Sequence, residues 1–221
     1  LLPELEVQER LGRDDLVEEL LEARVLEVRG REPVGVDEDL VRQRDRQLVP
    51  EAAGREVVDG AGERMVARAL GQWGRLDALV NNAGVDQHAP FHRIGLAEFR
   101  AIFETNFFGT LQVTHAAWGP MRAAGHGRIV VSTSSAGLHG LHGLSAYASS
   151  KAALIGLART LAAEGAARDV LCNAVAPYAA TRMTAAHLGD AARATMAPEL
   201  VAPLVADLVA ARCRVNGEVI V

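Results

Sequence analysis

Hydrophobic positions from about residue 62 onward follow two patterns in alternation. Stretches with apolar residues at helical spacing, such as ERMVARALGQW, are followed by short runs of continuous apolar residues, such as ALV and IVV. Helical spacing places the apolar side chains on one face of a helix, whereas a short continuous run is typical of a strand that is buried on both faces. This order predicts helices that alternate with parallel strands.

The same patterns predict the order of the elements. Helices are expected over residues 63–73, 95–125, 145–168 and 198–213, a short helix near residues 178–195, and strands within residues 75–84, 127–135, 169–177 and 217–221. A Gly-rich and His-rich loop precedes residue 145. Such a chain is expected to form an α/β fold with a doubly wound, Rossmann-like parallel sheet, in which ligands bind beyond the carboxyl ends of the strands.

The beginning of the chain does not share this pattern. Residues 1–50 carry 8 arginines and 14 acidic residues, whereas the rest of the chain carries 15 basic and 14 acidic residues. The five glycines before residue 61 are dispersed, so the sequence shows no Gly-rich turn that could cradle a pyrophosphate at a helix N-terminus. We therefore expect a single domain with an atypical N-terminal segment, residues 1–55, followed by an α/β unit, residues 56–221.

Composition narrows the class of protein. The 221 residues are 49% hydrophobic and 23% charged, which is typical of one globular domain. A formal net charge of -5 gives no basic surface for nucleic acid and no cationic helix for a membrane, and no stretch approaches the roughly 20 apolar residues of a spanning helix. Two isolated cysteines, Cys172 and Cys213, indicate reduced thiols and hence a cytoplasmic protein.

One lysine stands apart from the other basic residues. Lys151 is the single lysine of the chain, the other 22 basic residues being arginine, and it follows Tyr147 by four positions. A spacing of four places two side chains on the same face of a helix, one turn apart. The phenol of Tyr147 and the ammonium of Lys151 can therefore act on one small volume.

Four elements in order resemble the short-chain dehydrogenase/reductase family. They are Tyr147-x-x-x-Lys151, a serine thirteen residues earlier at Ser134, NNAG at residues 81–84, and Asn106. The resemblance implies an oxidoreductase that interconverts a secondary alcohol and a ketone. Within the family, the stretches AAW, YAATRMT and PELVAPLVADL are similar to the dehydrogenase part of peroxisomal multifunctional enzymes type 2 and their bacterial relatives, which implies a 3-hydroxyacyl thioester as substrate.

The resemblance also implies a role for each of these residues. Tyr147 would be the general acid or base, and Lys151 would supply the positive charge beside it and bind the nicotinamide ribose. Ser134 would hydrogen-bond the substrate oxygen; the alternative is that it is only a polar strand end, a structural purpose that Ser132 and Ser135 could also serve. Asn106 would interrupt its helix and position a water that links Lys151 to solvent.

NAD or NADP is the cofactor that the resemblance implies. The residues expected to bind it are Asn82, Ala83, Gly84, Tyr147, Lys151, Pro177 and Thr181. The family's glycine-rich turn, T-G-x-x-x-G-x-G, is absent, so residues 1–55 stand in place of the usual phosphate-binding half. Asp59 lies slightly out of register with the family's adenine-contacting aspartate. The strand end that precedes Thr181 reads Pro177-Tyr178 where the family has Pro-Gly.

The partners expected are a small-molecule alcohol or ketone and a second copy of the chain. The apolar face of the helix over residues 145–168 corresponds to a helix that packs against its symmetry mate in this family, which implies a homodimer or homotetramer. Neither nucleic acid nor a membrane is expected as a partner.

Three other interpretations stay open at this point. A catalytically silent relative that has lost dinucleotide binding, and that serves as a scaffold or subunit, would explain the missing glycine turn. A reductase for another carbonyl compound would keep the same acid–base residues. Two histidine pairs suggest a metal, His88 with His92 and His139 with His142, but neither has a third ligand at a fixed spacing, so we expect no metal site.

Overall fold

A computed structural model of the chain describes residues 60–181, 189 and 195–221. The atypical segment over residues 1–55 and Asp59 lie outside the described residues, as does most of the expected short helix near residues 178–195. The expectations for those parts therefore stay predictions.

Helices and strands alternate along the described chain. The helices are α1 (Ala61–Trp73), α2 (Leu96–Phe103), α3 (Thr110–Ala124), α4 (Ser135–His139), α5 (Ser145–Gly165) and α6 (Ala202–Val209). The strands are β1 (Ala78–Asn81), β2 (Gly127–Ser132), β3 (Val170–Val175) and β4 (Val219–Ile220). A π-helical turn (Glu104–Gly109) joins α2 to α3, and 3-10 turns (Ala166–Arg168 and Pro198–Leu200) follow α5 and precede α6.

The described strands form one parallel sheet in the order β1-β2-β3-β4. In its centre Val130 pairs with Val80 on one side and with Asn173 on the other, and Val219 of β4 pairs with Ala174. Since all strands run in the same direction, their carboxyl ends meet at one edge of the sheet. This confirms the Rossmann-like parallel sheet that the apolar pattern predicts.

Alternate residues of each strand face opposite layers of helices. Leu79, Ile129 and Cys172 belong to a core with side chains of α1, α3 and α5. Val80 and Val130 belong to a second core with α6. Because side chains on both faces of the strands are buried, the strands must be apolar throughout, which is why their sequences show continuous runs rather than alternation.

Two elements differ from the expected ones, and a third feature, the interruption of a helix at Asn106, is the one that the resemblance implies. The loop expected before residue 145 contains α4, which Ser134 caps by accepting a hydrogen bond from the Ala136 N–H at 3.2 Å. The last helix ends at Val209, four residues before Cys213, where the chain turns back toward β4. The long helix over residues 95–125 is interrupted at Asn106 by the π-helical turn. None of the described helices is long and apolar enough to cross a membrane.

A buried arginine connects the amino ends of the central strands. Arg128 on β2 is 0% exposed and donates hydrogen bonds to the backbone carbonyl of Asp169 at 2.7 Å and to its carboxylate at 3.1 Å. The same carboxylate lies 3.1 Å from Nδ1 of His126. Asp169 has a positive φ of 51°, and this turn directs its carboxylate back toward β2. The cluster lies at the end of the sheet opposite the polar strand ends.

Candidate active site

Three of the expected catalytic side chains meet at the carboxyl end of β2. Tyr147 and Lys151 lie one turn apart near the start of α5, and Lys151 Nζ is 5.8 Å from the centre of the Tyr147 ring. Ser134 lies two residues after β2, and its side chain is near enough to the Tyr147 phenol to lower the pKa of that phenol. The arrangement brings together a proton donor or acceptor, a hydroxyl that can bind the same oxygen as the phenol, and a cation.

The structure distinguishes between the neighbouring serines that the sequence leaves open. The Ser134 side chain is the one among them that lowers the pKa of the Tyr147 phenol. Ser132 instead uses its backbone carbonyl, which accepts a 2.7 Å hydrogen bond from Lys151 Nζ, and Ser135 begins α4. The end of β2 therefore contributes the side chain of Ser134 and the backbone carbonyl of Ser132 to the site.

Burial dominates the electrostatics of the pair. Desolvation raises the pKa of Tyr147, the hydrogen bond from Ser134 lowers it in part, and the negative charge of Asp86 raises it further. Lys151 is 3% exposed, and burial lowers its pKa to about 8. Burial therefore outweighs the expected lowering of the phenol pKa by the ammonium, because removal from water penalises the charged form of both groups. At neutral pH the phenol is protonated.

Asn106 lies in the π-helical turn and is completely buried. Its Oδ1 accepts a hydrogen bond from the Val85 N–H at 2.8 Å, and its Nδ2 donates to the Val85 carbonyl at 2.9 Å. The wider turn leaves the Asn106 carbonyl to accept a hydrogen bond from the Thr110 hydroxyl at 3.0 Å. Asn106 thus holds the loop after β1 against the helix, and its expected part in positioning a water stays a prediction.

Ser150 is a member of this network that the sequence reasoning missed. It is buried, accepts a hydrogen bond from Asn106 Nδ2 at 3.0 Å, and donates one to the Tyr147 carbonyl at 2.7 Å. A serine in the interior of an apolar helix, directly before the single lysine, was the available signal, since a buried hydroxyl has to find a hydrogen-bond partner. Ser150 links the Asn106 turn to the turn of α5 that carries the reactive groups.

The expected cofactor residues lie along the same edge of the sheet. A Cβ on Gly84 would lie 3.2 Å from both Asn106 Oδ1 and Lys151 Nζ, so glycine is what leaves space beside the ammonium. Asn82 is exposed just after β1, Pro177 is half-buried two residues after β3, and Thr181 is exposed farther along. A pocket opens beside β1, lined by Asn81, Asn82, Ala83, Thr105, Gly109, Thr110 and Val113.

These residues fit the nicotinamide half of a dinucleotide. An ammonium has three N–H donors, and within the described chain Lys151 Nζ uses one of them, on the Ser132 carbonyl. Its other donors face the space that Gly84 leaves, where ribose hydroxyls are suitable acceptors. The fit therefore rests on the N–H donors of Lys151 and on the absence of a side chain at Gly84.

The histidines of the two loops near the site do not form a metal centre. Throughout residues 60–181 and 195–221, no three His, Cys, Asp or Glu side chains are grouped so that they could hold a metal ion. The rings of His88 and His142 lie 6.5 Å apart, and the Ala89 N–H donates to the Gly143 carbonyl at 2.8 Å. His88 and His142 therefore lie where the loop after β1 contacts the loop before α5.

Comparisons with known proteins agree with this geometry. The sequence model of the family described as "short chain dehydrogenase" matches residues 59–191. The chain is 40% identical over 157 residues to peroxisomal multifunctional enzyme type 2 of Mus musculus, which covers 71% of this chain and 21% of that protein. It is 38% identical over 122 residues to the acetoacetyl-CoA reductase of Shinella zoogloeoides, covering 55% of this chain and 51% of the reductase.

A solved structure shows the same fold. A short chain dehydrogenase/reductase family protein superimposes with a TM-score of 0.63 and 41% sequence identity, covering 70% of this chain and 68% of that one. The chain spans about a fifth of the length of the mouse relative and about half of the length of the reductase. The narrower likeness to the multifunctional enzymes that the sequence predicts is confirmed by this identity.

Proposed function

Because this chain belongs to the short-chain dehydrogenase/reductase family, we propose that it is an NAD(P)-dependent oxidoreductase that interconverts a secondary alcohol and a ketone. The observation that carries the proposal is the placement of Tyr147 and Lys151 one turn apart on α5, with Lys151 Nζ 5.8 Å from the Tyr147 ring and the Ser134 side chain near enough to lower the pKa of the phenol. A carbonyl oxygen can take the place that joins these two hydroxyls.

Each side chain then has a defined part in the reaction. In the direction of reduction, the Tyr147 phenol donates its proton to the substrate oxygen while the Ser134 hydroxyl donates a hydrogen bond to the same oxygen. In the direction of oxidation, the phenolate of Tyr147 takes the proton of the alcohol. NAD(P) supplies or accepts the hydride when it is bound. Lys151 holds the cofactor ribose and adds positive charge near the phenol, which stabilises the phenolate.

The nicotinamide half of the cofactor would be held along one edge of the sheet. The residues proposed to contact it are Asn82, Ala83, Gly84, Tyr147, Lys151, Pro177 and Thr181. Whether NAD or NADP is used depends on residues at the adenosine end.

A 3-hydroxyacyl or 3-ketoacyl thioester is the substrate class that we propose. Acetoacetyl-CoA, named as the substrate of the Shinella zoogloeoides relative, is a 3-ketoacyl thioester, and the peroxisomal multifunctional enzyme is similar over the same part of this chain. A homodimer or homotetramer in the cytoplasm stays the prediction of the sequence.

Cofactor binding and turnover test the proposal together. NADH and NADPH are titrated separately and binding is followed by calorimetry, and then acetoacetyl-CoA and non-thioester ketones are supplied as substrates. We expect saturable binding of one nucleotide in the micromolar range and oxidation of it on addition of a thioester. Tyr147→Phe should abolish turnover while the nucleotide affinity stays nearly unchanged, because the phenol acts on the substrate oxygen.

The sequence feature that favours a silent relative is the missing glycine-rich turn. A chain that does not bind the dinucleotide cannot orient it against the substrate, and hydride transfer depends on that orientation. Absence of binding at millimolar NADH and NADPH would therefore exclude the enzymatic proposal and support a scaffold or subunit. Turnover of simple ketones but not of acetoacetyl-CoA would retain the enzyme and exclude the thioester.

A further inference from the structure

We propose that Thr133 is a positioning residue for this site: its buried hydroxyl sets the distance between the end of β2, which carries Ser134, and the turn of α5 that carries Tyr147 and Lys151. The catalytic meaning of this role rests on the proposed function. The geometric role itself does not, because it concerns contacts within the chain.

Thr133 ties the strand end to two other elements. It is 2% exposed, and its N–H donates to the Val175 carbonyl of β3 at 2.8 Å. Its hydroxyl donates to the backbone carbonyl of Lys151 at 2.7 Å. A buried hydroxyl costs stability unless it is hydrogen-bonded, and here the partner is the catalytic turn of α5. Among the contacts of Thr133, this one alone depends on the side chain being polar.

Lys151 is consequently held at both of its ends by consecutive residues of one strand end. Its carbonyl accepts from the Thr133 hydroxyl and its Nζ donates to the Ser132 carbonyl, both at 2.7 Å. Ser134, whose side chain lowers the pKa of the phenol, is the next residue along the chain. Since the three strand-end residues are covalently linked, the place of Lys151 relative to Ser134 is fixed without any contact between those two.

The α4 helix also restricts the position of the α5 turn that carries Lys151. A Cβ on Gly137 would lie 2.8 Å from the Ala152 N and 2.9 Å from the carbonyl carbon of Lys151. The α4 backbone therefore packs directly against the stretch of α5 to which Thr133 bonds. A carbonyl oxygen has two lone pairs, so the Lys151 carbonyl can accept both its helical hydrogen bond and the one from Thr133.

The composition of the chain allows a test that needs neither cofactor nor substrate. Because Lys151 is the single lysine, incorporation of lysine labelled with 13C at Cε yields one resonance, whose pH titration reports the ammonium directly by NMR. Thr133→Val keeps the shape of the side chain and removes the hydroxyl. We expect it to raise the pKa of Lys151 from about 8 toward its ordinary value of 10.5, because a loosened turn admits water, and to lower kcat/KM by about 10- to 100-fold.

Two variants separate positioning from general loosening. Thr133→Ser keeps the hydroxyl and should restore both the titration and kcat/KM. Thr114→Val is the matched control. Thr114, on α3, is also 2% exposed, and its hydroxyl accepts from Asn81 Nδ2 at 2.9 Å at the end of β1. It should lose comparable stability and leave the titration of Lys151 unchanged. Tyr147 and Asp86, the titratable groups that act at this site, are kept in all variants.

The outcomes decide the proposal in either direction. An unchanged Lys151 titration in Thr133→Val, or an equal shift in Thr114→Val, overturns it. If Thr133→Val does not fold, Gly137→Ala displaces the same backbone from α4 and is expected to shift the same resonance; no shift there overturns the proposal. A shift of the resonance in a chain that binds no nucleotide would uphold the positioning role while the proposed function fails.

Discussion

Lys151 Nζ lies 5.8 Å from the centre of the Tyr147 ring, and the two residues lie one turn apart on α5, with Lys151 buried and Tyr147 half-buried. Burial raises the pKa of Tyr147 and lowers that of Lys151 to about 8. Below pH 8 the pair is thus a neutral phenol beside an ammonium, the protonation state that donates a proton to a carbonyl. The reduction proposed for this chain needs that protonation state.

The two directions of the reaction should depend on pH in opposite ways. For ketone reduction, kcat/KM is expected to be level below pH 8 and to fall above it, because Lys151 loses its proton with a pKa of about 8. Alcohol oxidation should instead increase with pH, because it needs the Tyr147 phenolate. Initial rates in both directions, measured as kcat/KM, report the free enzyme. A reductive profile that stays level to pH 10 would contradict this assignment of Lys151.

Burial of the single ammonium should appear in the stability of the protein. Since the folded state lowers the pKa of Lys151 from 10.5 to about 8, folding releases a proton between pH 8 and pH 10.5, and the burial penalty is fully present below pH 8. The free energy of unfolding should therefore rise with pH between 8 and 10.5, by up to about 3 kcal/mol. Urea unfolding of the natural chain and of Lys151→Met, at several pH values, isolates this contribution as a difference.

The difference is needed because a buried thiol acts in the opposite sense. Burial raises the pKa of Cys172 from 9.0 to about 12, so the thiol favours unfolding above pH 9. Cys172 is present in both the natural protein and Lys151→Met, so its contribution cancels when the two free energies of unfolding are subtracted. A difference that stays constant between pH 7 and 10 would mean that Lys151 is hydrated in the folded protein.

Gly84→Ala should disturb the site more than the fold. The added Cβ would lie 3.2 Å from Lys151 Nζ and from Asn106 Oδ1, and Asn106 is held by hydrogen bonds to Val85 and Ser150. We expect kcat/KM to fall about tenfold while thermal unfolding changes little. Gly71→Ala is the control, because Gly71 lies in α1 with no atom within 4 Å of its added Cβ. It should raise stability by about 0.5–1 kcal/mol without altering activity.

Asp169→Asn should destabilise the sheet from its other end. The residue keeps its shape and tolerates the positive φ of 51°, but Arg128, which is 0% exposed, loses its counter-charge. We expect a loss of about 1–3 kcal/mol in urea unfolding at pH 7. Asp207→Asn, which breaks the pair with Arg212 at the surface, should cost about 0–1 kcal/mol.

The effect of Asp169 should also depend on pH. Burial opposes the charge of Asp169, yet hydrogen bonds from His126 and Arg128 lower its pKa below 3.8. Its contribution is therefore present above pH 3.8 and is lost as the pH falls through the lower folded value. The difference in the free energy of unfolding between the natural chain and Asp169→Asn should therefore decrease in that acid range. An equal difference at pH 3 and pH 7 would contradict the ion pair.

The local pattern of the sequence predicted much of this molecule. Apolar spacing predicted α1, α5 and the strands, and the interruption of the helix at Asn106 was expected from the family resemblance. The spacing of four predicted that Tyr147 and Lys151 share one face of a helix, because a helix turn is regular over such a short distance, whereas Ser134 was added by the family resemblance. The α4 helix was missed, since its short stretch of glycine and histidine has no periodicity to detect.

What the sequence determined by itself is therefore the alternation of helices and strands and the identity of the groups at the strand ends, both of which depend on neighbours within a turn or two. Only the tertiary structure decided where the Lys151 ammonium points, that the Thr133 hydroxyl bonds a carbonyl 18 residues away, and that Arg128 on a central strand is paired by Asp169, 41 residues away. The reason is physical: burial and hydrogen-bond partners arise from packing between distant segments, and burial is what moves the pKa values of Tyr147 and Lys151.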